Sequence, residues 1–275
     1  MNTIEAIHSR YSVRNYAKTA FSEAEKTQII ALLDNSDKGP FGNKARFIFI
    51  EKTEAVQKEK IKLGTYGFIS NAAYFIAGAI EKFEYSEVDY GFLLEIIILE
   101  LTRMGYGTCW IGGTLKRKDY QKLLKLKSDE TIPCITPVGF AAKKKSLRER
   151  LGIKFAKSGY RHPYKSLFFE NDINNPLNLS VDNPYSVALE MVRLAPSAVN
   201  KQPWRVIKVK NKFHFFISRT GLLNFNKAVD LQKVDLGIAI AHFYLTLKHL
   251  NQNGIWHIKN PEISDMEYVI TWIAE

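Results

Sequence analysis

Cysteine and long apolar segments are both scarce in this chain of 275 residues. The only two cysteines, Cys109 and Cys134, cannot build the disulfide framework of a small secreted domain, so we expect a reducing, cytoplasmic setting. The longest mostly apolar run, residues 91–104, contains charged side chains and is shorter than the roughly 20 apolar residues that span a bilayer. We therefore predict a protein that does not cross a membrane.

Familiar catalytic and metal-binding motifs are also missing. The six histidines are not spaced with cysteine or acidic residues as metal ligands are, and neither cysteine belongs to a CxxC pair. The chain has no G-x-G-x-x-G after a strand, no phosphate loop ending in G-K-[ST] and no G-x-S-x-G elbow. We therefore predict no metal site, and we exclude nucleotide-binding and hydrolase sites of these types.

The net charge of +11 is concentrated in one segment. Residues 143–165 hold nine basic side chains and one acidic side chain, whereas the rest of the chain is close to balanced. This connector fits a solvated linker, a strap over an anionic ligand, or a patch for nucleic acid or a membrane. Its aromatic residues, Phe155, Tyr160 and Tyr164, form no stacking motif, so we expect no nucleic-acid partner.

Hydrophobic periodicity indicates alternating helices and strands in the first 140 residues. Two capping boxes, N-x-x-E at 2–5 and S-x-x-E at 22–25, mark helix starts. The strongest amphipathic pattern predicts a central buried helix over about 87–104, on which we interpret Asp89 as a helix cap and Glu95 as a polar core contact. The predicted strands cover residues 45–51, 74–80 and 131–140.

The second half repeats the pattern of the first. Residues 88–111 align without a gap with residues 234–257, at a constant offset of 146. The identical pairs are Val88/Val234, Asp89/Asp235, Gly91/Gly237, Leu99/Leu245, Leu101/Leu247 and Trp110/Trp256. We therefore predict an internal duplication, with halves at 1–142 and 166–275 joined by the connector. Strands at 204–210, 212–218 and 267–273, with hairpin-type connections, favour an α+β fold over a doubly wound sheet.

An arginine-rich segment follows the first predicted helix. In the string SRYSVRNY (9–16), an extended backbone would place Arg10, Ser12 and Arg14 on the same side. Two guanidinium groups and a hydroxyl suit a terminal phosphate, because forked donors match its oxygens. The alternative is two surface arginines paired with carboxylates.

Two further strings could contact a ligand. In RLAPSAVNKQPW (193–204), Pro196 ends a helix, and the Gln202 side chain offers the donor and the acceptor that the edge of a heterocycle requires. In GYGTCWIGG (105–113), the paired glycines Gly112 and Gly113 would let a backbone approach a flat ligand closely. The alternatives are a polar loop with a helix stop and an ordinary turn.

Together, these strings resemble the FMN-dependent nitroreductase family over nearly the whole chain. The string SRYSVRNY resembles that family's N-terminal R-x-S-x-R segment, and APSAVNKQPW (195–204) resembles its P-S-x-x-N-x-Q-P-W loop. The string GYGTCWIGG resembles the glycine stretch beside the flavin ring. Arg161, in R-H-P near the end of the connector, resembles the last phosphate contact.

The sequence departs from the usual family pattern in how these parts are distributed. Family members are typically homodimers with FMN at the interface, whereas here the parts are divided between two halves of one chain. The resemblance therefore implies the fused, two-repeat branch: a monomer that mimics the dimer and binds one FMN. The first half has lost Q-P-W in its loop at 37–50, and the second half lacks R-x-S-x-R and the glycine pair. The opposite cleft would be lined by Phe41, Asn43, Lys44, Trp256 and His257, without phosphate donors.

The resemblance also implies a function. NAD(P)H would deliver hydride to flavin N5, and a small acceptor such as a nitroaromatic or quinone would then take the electrons, in ping-pong turnover without an obligatory side-chain acid. Alternatives on the same fold are flavin-based dehalogenation, flavin fragmentation and FMN binding without turnover. The implied contacts are Arg10, Ser12, Arg14 and Arg161 at the phosphate, the backbone of Trp110, Ile111, Gly112 and Gly113 at N5 and O4, and Pro196, Ser197, Ala198 and Asn200 on the opposite side.

Overall fold

Helices and strands alternate along the chain in a computed structural model that describes residues 1–34, 37–53, 69–143, 159–221 and 229–275. The helices are α1 (Thr3–Ser9), α2 (Glu23–Leu33), α3 (Ser86–Arg103), α4 (Arg117–Gln121), α5 (Pro184–Leu194) and α6 (Leu231–His249). The strands are β1 (Ala45–Glu51), β2 (Tyr74–Glu81), β3 (Gly107–Thr108), β4 (Glu130–Thr131), β5 (Ile135–Gly139), β6 (Phe168–Glu170), β7 (Trp204–Val209), β8 (Lys212–Ile217), β9 (Gly254–His257) and β10 (Glu267–Ala274).

Most elements predicted from local patterns are confirmed, including both capping boxes at the starts of α1 and α2. The strand predicted over 131–140 is instead split into β4 and β5. Pro133 lies in the gap and has no N–H to donate to a strand ladder. The Arg117 guanidinium fills the interruption by donating to the carbonyls of Ile132 and Pro133, each at 2.8 Å.

The strands form two five-stranded sheets. The first has the order β1-β2-β5-β3, with β4 also paired to β2, and its pairs are antiparallel. The second has the order β6-β7-β8-β10-β9, in which only β6 runs parallel to its neighbour. The order β7-β8-β10-β9 matches β1-β2-β5-β3 strand for strand. The fold is thus the mixed α+β type that the sequence predicts.

The two long helices, α3 and α6, pack against one another at the centre of the molecule. A Cβ atom placed on Gly91 of α3 would overlap the carbonyl oxygen of Val234, and one placed on Gly237 of α6 would overlap that of Val88. The contact is reciprocal at the offset of 146 residues seen in the sequence. The valine and glycine of the repeated V-D-x-G string therefore belong to one close backbone contact, which only glycine permits.

Candidate functional site

The N-terminal segment after α1 is held extended along the edge of the first sheet. Val13 N–H donates to Thr108 O at 2.8 Å, and Ser12 forms a parallel bridge with Thr108 of β3. Farther along, Ser70 N–H donates to Arg14 O at 2.8 Å. The extended backbone predicted for this segment is confirmed.

The two arginines of this segment have different surroundings. The Arg10 side chain is only 6% exposed, and its Nε lies 3.7 Å from Glu95 Oε1. Within the described residues it makes no hydrogen bond. The Arg14 side chain is half-buried, and its Nη1 lies 3.5 Å from Ser12 O. No described hydrogen bond or ion pair connects Arg14 with Arg161 or with residues 196–200.

Glu95 is the centre of a buried polar network that joins the two halves. It accepts a hydrogen bond from Trp110 Nε1 at 2.7 Å, and its other oxygen lies 2.9 Å from His242 Nε2. His242 Nδ1 lies 2.8 Å from Met191 O, and because a carbonyl can only accept, Nδ1 carries a hydrogen. The polar core contact predicted for Glu95 is confirmed, but its partner on α6 could not be identified from sequence spacing.

Replacing His242 with Leu is expected to lower the free energy of unfolding by about 2 kcal/mol, since Glu95 Oε1 and Met191 O would lose a buried partner. Urea unfolding, compared with wild type, measures this loss. His249→Leu at the exposed end of the same helix is the control and should change stability by less than about 0.5 kcal/mol. Equal effects of the two variants would contradict a stabilising role for the network.

The loop between α5 and β7 has an unusual backbone. Val199, Asn200 and Gln202 have φ angles of 50°, 57° and 49°, in the left-handed region. Gln202 is buried; its N–H donates to Ser197 Oγ and its side-chain oxygen accepts from His162 N–H at 2.9 Å. The Gln202 side-chain amide is therefore hydrogen-bonded within the chain, to His162 and to Asn200. The expectation that it contacts a heterocycle is wrong.

Arg161 brings the end of the basic connector onto this loop. Its guanidinium donates to Asn200 Oδ1 at 3.3 Å and to Leu194 O at 3.1 Å. Asn200 in turn donates from Nδ2 to Tyr160 O at 2.8 Å. Residues 144–158 of the connector, including Lys144 and Lys145, lie outside the described residues. A strap that ends at the loop is thus supported for residues 160–162.

Arg10 and Arg161 lie close enough to repel one another. The pKa of Arg161 is lowered to about 10, first by burial and then by the positive charges of Arg10 and Arg193. Arg193 is engaged by Glu190 in a two-pronged ion pair, with N–O distances of 2.7 and 2.6 Å. Two partly buried guanidinium groups from distant parts of the chain therefore converge, an arrangement that an anion would stabilise.

The glycine stretch runs beside this cationic site. A Cβ on Gly112 would lie 2.7 Å from Cys134 Sγ and from a Leu231 side-chain carbon, so packing within the chain already requires glycine there. Ile111 exchanges two backbone hydrogen bonds with Ile135, and its N–H is therefore not available to a ligand. The N–H groups of Trp110, Gly112 and Gly113 donate no hydrogen bond within the parts of the chain that the structure describes.

The opposite cleft has different contents. Phe41 stacks on Tyr85 with ring centroids 4.7 Å apart. Lys233 Nζ also lies over the Tyr85 ring, 4.7 Å from its centroid. At the offset of 146 residues, Tyr85 corresponds to Leu231, whose side chain lies beside Gly112. Trp256 packs against Trp272 at 4.9 Å. Phe41 and Trp256, two of the residues expected to line that cleft, are thus each packed against an aromatic side chain of the chain itself.

Asp89 and Asp235, equivalent in the repeat, each hold a loop. Asp89 accepts from Phe41 N–H, Asn43 N–H and Asn43 Nδ2, at 2.9, 2.9 and 2.8 Å, so its predicted role as a helix cap is wrong. Burial raises its pKa to about 6, although the three donors act in the opposite direction. Asp235 accepts from Ala198 N–H at 2.8 Å.

No helix among residues 1–34, 37–53, 69–143, 159–221 and 229–275 has both the length and the apolar content to cross a membrane. The same ranges contain no group of three His, Cys, Asp or Glu side chains arranged to hold a metal ion.

Comparison with known proteins gives a family match over most of the chain. Residues 2–247 match the family model described as "Putative TM nitroreductase". No curated protein matches the sequence significantly. A Thermotoga maritima protein whose crystal structure is described as a "putative nitroreductase" is 24% identical, with a TM-score of 0.61, over 99% of this chain and 94% of that chain.

Two FMN-bound nitroreductases are similar to about half of the chain. The protein from Desulfitobacterium hafniense is 22% identical, with a TM-score of 0.43, over 53% of this chain and 92% of its own. The protein from Bacteroides fragilis is 18% identical, with a TM-score of 0.43, over 54% of this chain and 92% of its own.

Proposed function

The chain belongs to the nitroreductase family, and we propose that it binds FMN and passes electrons from NAD(P)H to a small acceptor such as a nitroaromatic or a quinone. The observation that carries this proposal is the convergence of Arg10 and Arg161. The Arg10 side chain is only 6% exposed, and the pKa of Arg161 is lowered first by burial and then by the positive charges of Arg10 and Arg193, so an anion beside Arg161 would favour its charged form. The phosphate of FMN supplies such an anion.

The residues present fit the rest of the cofactor as well. Arg10, Ser12, Arg14 and Arg161 would hold the phosphate, and the free N–H groups near Gly112 would meet the polar edge of the ring. Pro196, Ser197, Ala198 and Asn200 would close the opposite side. Bound FMN would supply the two-electron chemistry, while these residues bind it, orient it and limit its contact with water.

We also propose that the chain is a fused pair of nitroreductase-like halves, 1–142 and 166–275, and acts as a cytoplasmic monomer. The shared strand order, the reciprocal glycine contacts and the two equivalent aspartates support a duplication. The halves contribute unequally, since Arg10 and the glycine stretch come from the first and the loop with Asn200 from the second. The Phe41–Tyr85 stack would block flavin from the opposite cleft.

The purified protein is expected to hold one FMN per chain, because the arginine segment and the glycine pair occur in the first half of the sequence and not in the second. Flavin released by heat and measured by absorbance should approach a ratio of 1:1, and a monomer isolated by size-exclusion chromatography should retain it. Bleaching of the yellow colour by NADH or NADPH would separate an enzyme from a protein that only binds FMN. A ratio of 2:1, or FMN bound only by a dimer, would contradict the single-site arrangement, and failure to take up added FMN would contradict the function.

A further inference from the structure

Asp235 lies beneath the loop that is proposed to close over FMN. Its Oδ1 accepts the Ala198 N–H at 2.8 Å, the side chain is buried, and its Oδ2 is buried without a hydrogen-bond partner among the described residues. Burial raises the pKa of this carboxyl well above its usual range. Burial therefore disfavours the charged form of this carboxyl, and the hydrogen bond from the loop amide opposes that effect.

The loop, residues 197–202, needs such support. Three of its residues have left-handed backbone angles, and one of them, Val199, is β-branched and disfavours that conformation. Val199 is also 39% exposed, so packing of its side chain does little to fix the backbone. Three sets of contacts hold the loop: Asp235 bonds Ala198 from below, Ser197 Oγ bonds Gln202 within it, and residues 160–162 of the connector bond Asn200 and Gln202.

We propose that Asp235 is a positioning residue that fixes the 197–202 loop in its FMN-binding conformation before FMN arrives. The inference rests on the proposed function, because it assigns the loop a ligand. Among the described residues, the hydrogen bond of the Asp235 side chain goes to the Ala198 backbone, so Asp235 acts through the loop and not on the cofactor. Preorganisation of this kind strengthens binding by removing the cost of ordering the loop on association.

The equivalent residue of the first half supplies a matched control. Asp89 holds the loop at residues 39–43 as Asp235 holds residues 197–202, and it does so with three hydrogen bonds instead of one. Its loop is not part of the proposed FMN site. Removing Asp89 should therefore reduce stability more than removing Asp235, yet leave FMN binding intact.

The experiment compares Asp235→Ala, Asp235→Asn and Asp89→Ala, each as the full chain. In the flavin-free protein, hydrogen exchange at residues 197–202 should become at least about tenfold faster in Asp235→Ala, and exchange near Phe41 should become faster in Asp89→Ala. The dissociation constant for FMN, from fluorescence titration, should rise about tenfold in Asp235→Ala and less than about threefold in Asp89→Ala. Asp235→Asn keeps an acceptor for Ala198 and should behave like wild type.

Several results would overturn the proposal. Wild-type FMN affinity in a folded Asp235→Ala variant would do so, as would equal losses in Asp235→Ala and Asp89→Ala, or failure of Asn to restore binding. If Asp235→Ala does not fold, Asp235→Leu, which has the same branched side-chain outline but no acceptor, replaces it in the comparison. A wild-type protein that binds no FMN refutes the proposed function instead, and hydrogen exchange in the flavin-free variants then still shows whether Asp235 holds the loop.

Discussion

Replacing Arg10 and Arg161 together with Ala is expected to weaken FMN binding by at least about a hundredfold. Each guanidinium should contribute about 1.5–3 kcal/mol through charge-assisted hydrogen bonds to the phosphate, because the Arg10 side chain is only 6% exposed and Arg161 is partly buried. The change is measured as the FMN dissociation constant at fixed ionic strength. Riboflavin, which lacks the phosphate, should lose affinity by only a few fold, so the ratio of the two constants reports the phosphate contribution.

Two single variants control for charge and for position. Arg193→Ala removes a neighbouring arginine that is already paired with Glu190, and should change FMN affinity by less than about threefold. Arg14→Ala should have a smaller effect than Arg10→Ala, since the Arg14 side chain is half-buried whereas that of Arg10 is only 6% exposed. Unchanged FMN affinity in the double variant would show that these arginines do not bind the cofactor, and equal losses for FMN and riboflavin would point to damage of the loop.

Replacing Gly91 and Gly237 together with Ala is expected to leave the protein largely unfolded at 37 °C. Each new Cβ would overlap a backbone carbonyl of the facing helix, and backbone cannot move aside as a flexible side chain can. Overpacking of this kind costs about 3 kcal/mol per site, a large part of the net stability of a typical domain. Circular dichroism during heating measures the loss, and each single variant should unfold roughly 5–10 °C below wild type.

Gly221→Ala is the matched control for this experiment. A Cβ placed on Gly221 would meet no atom of the described residues within 4 Å, so the thermal midpoint of this variant should stay within about 2 °C of wild type. If the helix variants lose no more stability than Gly221→Ala, the close approach of α3 and α6 is not important for the fold. Unequal losses for Gly91 and Gly237 would measure how far the two halves depart from equivalence.

Local patterns were sufficient for most of the secondary structure. The capping boxes fixed the starts of α1 and α2, and periodicity located α3 to within a residue or so at each end. The error at 131–140 arose because a run of strand-forming residues hides an interruption at Pro133, whose carbonyl is bound by Arg117 from elsewhere in the chain. Pro133 is visible in the sequence, but the Arg117 side chain that binds the carbonyls at the interruption is not.

The candidate site shows the same division more clearly. Motif spacing singled out Arg10, Arg161 and the loop around Asn200, but it could not show that the first two approach each other. It also missed His242 and gave Asp89 the wrong role, since their partners lie on other elements, 147 and 46–48 residues away. Gln202 was misread for a related reason: an amide in a loop looks like a ligand contact until the chain that folds over it is known.

By itself, the sequence determined the class of fold, the positions of α1, α2 and α3, the repeat at an offset of 146 residues and the family resemblance, because these depend on short-range patterns and on direct comparison of residues. Only the tertiary structure decided which charged groups share a buried site, which aspartate supports which loop and why glycine stands at Gly91 and Gly237. These features depend on distances between residues far apart in the chain. Such distances are set when the two long helices pack, and no local pattern of side chains encodes them.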